Sequence, residues 1–204
     1  MPNLDLTQVF VTFLVLLVSL TVHEAAHAWS ADQLGDATAR LLGRISLNPA
    51  VHVDFIGTIV FPLIALTTGL PVLGWAKPVP VNTGQLGPGW KRKFMAIAAA
   101  GPASNLVLAT IAAILLRVVP FGGLAAAVLE SAILINVLLA VFNMLPVPPL
   151  DGGNVVSGLL RGPVSDMYDR LRPWGFLILY ALMFTGTLTT LIVPPSQFLL
   201  SWLL

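Results

Sequence analysis

Residues 6–27, "LTQVFVTFLVLLVSLTVHEAAH", decide the fold. No residue from Leu6 to Val22 is charged. At a rise of about 1.5 Å each, 17 helical residues span about 26 Å, close to a hydrocarbon thickness of about 30 Å. The run then ends on two histidines and a glutamate, His23, Glu24 and His27. An ionisable group in a span costs about 2.5–3.5 kcal/mol even on the lenient insertion scale, so residues of this kind in such a place mark function.

The rest of the chain repeats the apolar signal. Of 204 residues 57% are hydrophobic and 9% charged, against roughly 25% charged in a soluble domain. Apolar runs at Phe94–Val119, Leu124–Phe142 and Trp174–Val193 read as further spans, the first opened by the interfacial anchors Lys91, Arg92 and Lys93. The expectation is an all-α integral membrane protein, a polytopic helical bundle forming one domain over 1–204. The tail "PPSQFLLSWLL" lies either along the interface or on the bundle. The first Lys or Arg is Arg40, so the leading run lacks a charged leader and is expected to be retained as the first helix. A net charge of +1, with basic residues in loop clusters, gives no basis for nucleic-acid binding.

Those basic clusters orient the chain. Arg40 and Arg44 follow the first span and Lys91, Arg92 and Lys93 precede the next, which puts the "HEAAH" end on the cytoplasmic side of a cell membrane and the N-terminus outside. Residues 53–75 are apolar but broken by Gly57, Pro62, Gly69 and Pro71, and one crossing there would carry residues 91–93 to the wrong side. A re-entrant segment or returning hairpin near the cytoplasmic face fits better, because broken backbone at membrane depth must border protein or water. "GWAKPVPVNTG", 74–84, reads as extended chain or a β-hairpin.

Residues four apart on a helix sit one turn above each other, so His23 and His27 share a face, with Glu24 beside it. With no cysteine in the chain, a metal here needs nitrogen and oxygen ligands. In H-E-x-x-H the histidines ligate Zn²⁺ and the glutamate takes a proton from water acidified by the metal. A catalytic zinc needs a third protein ligand. Asp151 is the best candidate, in "NMLPVPPLDGGNVV", 143–156, where Pro146, Pro148 and Pro149 forbid a continuous helix. Capping of a short helix near Asn154 is the alternative role for it. Asp54, near His52, is the rival third ligand, whereas His52 itself has no partner at helical spacing and reads as a hydrogen-bonded structural residue.

Three motifs, "HEAAH" at 23–27, "GPASN" at 101–105 and "NMLPVPPLDGG" at 143–153, together resemble the site-2 proteases of peptidase family M50. These are intramembrane zinc metalloproteases that cut transmembrane segments of other proteins, and the likeness is to a compact, bacterial-type branch without PDZ or CBS modules. The resemblance implies one Zn²⁺ per chain on His23, His27 and Asp151, Glu24 as general base, a transmembrane protein substrate, and an active site near the cytoplasmic face of a bacterial inner membrane. It adds Asn143 as a residue that contacts substrate or steadies the oxyanion, against a plain role in satisfying carbonyls at a helix end. Asn105 reads either as a structural amide beside Pro102 or the neighbouring helix, or as a substrate contact. The rival function is a divalent metal-ion transporter using the same His/Asp site, and a third is a silent scaffold; an unliganded glutamate beside the ligands favours hydrolysis.

Overall fold

A computed structural model describes residues 6–61, 64, 74–120 and 122–204. Three helices are long and apolar enough to cross a membrane: α1 (Leu6–Gln33), α3 (Trp90–Val118) and α4 (Gly123–Asn143). They pack on one another with α3 running antiparallel to both α1 and α4. Large apolar side chains such as Phe10 and Phe13 on α1 and Ile111 and Ile114 on α3 point outward, as a lipid-facing surface requires. Small residues take the inside: Ala109, Ala112 and Ala113 of α3 are buried, and the last two form a cluster with Ile133 of α4. In lipid no hydrophobic force drives helices together, so close van der Waals approach through small residues supplies the packing.

α1 is longer than the uncharged run alone implies. It continues ten residues beyond His23 to Gln33, which leaves "HEAAH" inside a helix rather than at its end. The helix is closed off by Lys93, whose Nζ donates to the carbonyls of Leu34 (3.2 Å) and Leu86 (2.7 Å). A cation on unpaired carbonyls at a helix C-terminus satisfies them and complements the dipole. The basic triplet 91–93 lies within the first turn of α3, which begins at Trp90, before the expected Phe94.

Behind α1 comes the short α2 (Thr38–Leu41). Asp36, in the loop just before it, is wholly buried. Its Oδ1 accepts from the Thr38 amide and its Oδ2 from the Asn82 amide at 2.6 Å, tying the 74–84 stretch to the end of α1. A 3₁₀ turn at Pro49–Val51 and a π-type turn at Phe55–Val60 follow. Asp54 Oδ1 accepts from the amides of Ile56 and Gly57, so the rival carboxylate is committed to a turn.

No strand forms among the described residues. Residues 74–82 run without regular secondary structure, pinned by the Trp75 amide on Gly57 O and the Lys77 amide on His52 O. Most of the expected hairpin's apex, 62–63 and 65–73, lies outside the described residues.

The C-terminal third departs from the expected single span at Trp174–Val193. α5 (Asp151–Leu159), α6 (Pro163–Asp169), a 3₁₀ turn at Arg172–Trp174, α7 (Gly175–Phe184) and α8 (Thr187–Leu203) follow in order, and the helical path bends by 81° at the break between α7 and α8. The physical cause is Gly186, at φ +74°, a left-handed conformation that ends α7 at little steric cost. The tail is on the bundle rather than along the interface: Leu200 and Leu203 pack against Ala112, Ala113 and Ile133.

Replacing Asp36 with Ala strands two amides at a buried position, and the expected loss is about 2 kcal/mol. The midpoint of thermal unfolding in detergent micelles should fall accordingly, while the zinc content of the protein still folded at low temperature stays unchanged.

Candidate metal centre

His23 and His27 lie one turn apart on the inner face of α1, at 4% and 8% exposure. Their rings meet edge to face at 4.7 Å between centroids, with Nε2 to Nε2 3.0 Å. Opposite them stands Asp151, whose Oδ2 is 3.1 Å from His23 Nε2 and 3.3 Å from His27 Nε2. These three are the one group of metal-ligand residues found clustered among the described residues.

The local chain explains why each is there. α3 crosses α1 at Gly101, where an added Cβ would meet His23 Nε2 and Cε1 at 2.6 Å and collide with His27 Nε2. The glycine of "GPASN" is therefore the floor on which both imidazoles rest. Asp151 begins α5 directly after the proline-rich turn, and its carboxylate faces the histidines, with no side-chain cap on that helix. The capping alternative thus does not hold. Gly152 and Gly153 press against the main chain of Met144, Leu145, Val147 and Pro148, leaving no space for a Cβ at either position. Gly175 at the start of α7 closes on Pro148 and Pro149 from the other side. The double glycine lets the 144–150 turn fold back under α5 and bring residue 151 to the face of α1 that carries His23 and His27.

The ligand atoms fit zinc. In a tetrahedral site with bonds of about 2.0–2.1 Å, ligand atoms stand about 3.3–3.4 Å apart, and the separations seen are 3.0, 3.1 and 3.3 Å. The chemistry of the donors agrees. His27 Nδ1 lies 2.7 Å from the Ile97 carbonyl, an oxygen that only accepts, so Nδ1 carries a proton, and in the neutral ring Nε2 presents a lone pair. Two imidazole nitrogens and a carboxylate oxygen converging in a buried site are the nitrogen-and-oxygen donor set that a divalent cation takes.

The centre opens into a cleft of about 650 Å³. Leu20, Phe94, Phe142 and Phe176 give it apolar walls, Glu24 and Asn143 reach its lining, and the 74–81 stretch forms one side. Glu24 is 9% exposed. Asn143, the last residue of α4, donates from Nδ2 to its own Leu139 carbonyl at 2.9 Å. Asn105 is fully buried behind His23 and outside the cleft lining, which removes its reading as a substrate contact; its Oδ1 stands 2.6 Å from His23 Nδ1. His52 holds the 46–52 loop through Nε2 to the Ser46 carbonyl at 2.8 Å, a structural role. Asn136, which touches Asn105, was not signalled by the sequence, since a single asparagine in an apolar run carries no motif.

Residues 119–186 match the model of peptidase family M50. The chain is 36% identical over 184 residues to YwhC of Bacillus subtilis (strain 168), named for a proposed zinc metalloprotease activity, with 84% of this chain and 79% of that protein covered. The chain belongs to peptidase family M50. It is 34% identical to a protein of Mycolicibacterium smegmatis, Rip2, and 27% to the Rip2 of Mycobacterium tuberculosis, both also named for a proposed zinc metalloprotease activity. The chain spans 66% of the length of each of those two. No solved structure matches significantly. Family membership and the apolar bundle make this M50 chain a multi-pass membrane protease that uses zinc, as the three motifs imply.

Gly101→Ala should push both imbricated imidazoles off α3 and weaken zinc binding at least about 10-fold, an effect of the size seen when the support of a ligand is lost. Competition with a chromophoric zinc chelator on the detergent-solubilised protein reads this directly, and affinity equal to wild type would show that the rings do not rest on that glycine.

Proposed function

We propose that the chain hydrolyses peptide bonds in or next to transmembrane segments of other membrane proteins, with His23, His27 and Asp151 as zinc ligands and Glu24 as general base. The observation that carries this reading is the convergence of two Nε2 atoms and one carboxylate oxygen within 3.3 Å, beside a buried glutamate in a cleft of a membrane bundle. Nothing in the family match or the geometry favours transport.

Zinc, when bound, supplies a Lewis acid that polarises the scissile carbonyl and acidifies a water in the site. Glu24 takes a proton from that water as its oxygen adds to the carbonyl carbon, and returns the proton to the amide nitrogen as the C–N bond breaks. The leaving group departs as a neutral amine. Asn143 uses one N–H on Leu139 O; an amide nitrogen has two, and the second is free to support the oxyanion. The apolar walls keep bulk water from competing for these contacts.

A substrate helix hides its carbonyls and must unwind before hydrolysis. The stretch 74–81 suits an unwound chain, because the Trp75 and Lys77 amides are spent on residues 57 and 52 while Ala76 and Val79 line the cleft. We take this open length, with the turn at 143–150, as the surface beside which substrate lies extended. The packing of α1, α3, α4 and α5 on one another supports one domain over 1–204, and the Trp75 amide on the Gly57 carbonyl supports a returning, re-entrant path between them. Of the ten Lys and Arg residues, only Arg117 stands at the far end of the bundle, near the C-terminus of α3; the others cluster at the end nearer the site, which supports a cytoplasmic-facing centre in a bacterial inner membrane.

Glu24→Gln should lower cleavage of a transmembrane peptide by about 10²–10⁴-fold or more, with one zinc per chain still bound. Cleavage by this variant at the wild-type rate would remove Glu24 from the reaction.

A further inference from the structure

Behind His23 a chain of buried amides runs across three helices. Asn105 of α3 meets His23 Nδ1 with Oδ1, and its Nδ2 donates to Asn136 Oδ1 of α4 at 2.8 Å and to the Ser19 carbonyl of α1 at 3.3 Å. Asn136 Nδ2 in turn donates to Ser19 Oγ at 2.9 Å and to the Ala132 carbonyl at 2.8 Å. All four side chains are at most 4% exposed. Each amide can be written in two orientations, and the main chain decides between them. The Ala132 and Ser19 carbonyls can only accept, so Nδ2 of Asn136 faces the first and Nδ2 of Asn105 the second. The two anchors are independent and agree: Asn136 then offers an oxygen where Asn105 offers an N–H. Turning either amide over would set oxygen against oxygen in a dry interior, where an unpaired polar group is costly.

This direction leaves Asn105 Oδ1 against His23 Nδ1, which must therefore carry a proton. In the neutral ring His23 Nε2 then keeps its lone pair, directed toward His27 and Asp151. We propose that Asn105 and Asn136 are positioning residues of the metal centre, a relay that transmits the fixed polarity of the α1 and α4 main chain to the His23 ring. It sets both the tautomer and the orientation in which His23 offers Nε2 to zinc. For His27 the Ile97 carbonyl does the same in one step. The relay rests on zinc being held by His23, His27 and Asp151.

The test is zinc affinity of the full chain in detergent, measured by chelator competition, with thermal unfolding of the chelated protein as the check on folding. Asn105→Ala should weaken zinc about 10–100-fold. Asn105→Leu restores the volume but no acceptor, so it should remain as weak as Asn105→Ala; recovery to within about threefold of wild type would reduce Asn105 to packing and overturn the relay. Asn136→Leu touches no ligand and carries the test if the Asn105 variants do not fold; a loss of about threefold or more supports the relay, and unchanged affinity overturns its outer half. His23→Ala separates the two levels of the argument. It should lose the metal outright, and wild-type affinity in that variant would place zinc elsewhere and sink the ligand assignment, whatever the asparagine variants show.

Discussion

Two imidazole nitrogens and a carboxylate oxygen held about 3 Å apart inside a membrane-helix bundle form the constraint to which the rest of the structure answers. With both rings neutral, each of these atoms presents a lone pair to the same point beside the cleft. Such a group suits a divalent cation, and it offers its lone pairs in one direction only if the far side of every ring is hydrogen-bonded. That condition shapes the fold. His27 takes a main-chain carbonyl of α3, His23 takes the side chain of Asn105 on the same helix, and Asp151 arrives on a helix of its own. α3 thus serves as the back wall of the site. It can come that close only because residue 101 has no side chain, so a packing feature of a membrane helix pair also sets the position of both imidazoles.

How much of this the sequence discloses depends on whether partners lie on one element. His23, Glu24 and His27 are legible because helical geometry alone places them, whatever the bundle does around them. Asp151 is legible for a different reason: three prolines stop the helix, and an acid after such a break at membrane depth has few alternatives. The helix ends are less legible. "HEAAH" looks like the end of a span because hydropathy falls there, but backbone hydrogen bonding does not depend on hydropathy, and α1 continues to Gln33. The run Trp174–Val193 looks continuous for the converse reason. Its apolar residues hide the threonine and glycine at 185 and 186, where the backbone turns left-handed.

Asn105 and Asn136 show where legibility stops. Asn105 stands in a motif and so draws notice, yet its partner His23 is 82 residues away and its other partner Asn136 is 31 away. Their meeting depends on the rotation of three helices about their axes. Nothing in the local pattern of α4, a nearly unbroken apolar stretch, distinguishes an asparagine facing the core from one facing a neighbour across it. The same limit applied to Asn143, which sits at the cleft but spends one donor on its own helix.

A bundle held largely by small residues would be free to slide, because alanine surfaces match in many registers. The buried amides remove that freedom. Ser19, Asn105 and Asn136 bond together only when α1, α3 and α4 stand in one rotation and one vertical register, and any slip of a residue leaves several polar groups unpaired in a medium that cannot solvate them. The chain therefore uses one set of contacts for two ends. Polar groups that lock three membrane helices in register also fix the His23 ring through its Nδ1, so register and the orientation of a proposed metal ligand are set by one polar cluster beside the site rather than by separate contacts elsewhere along the bundle.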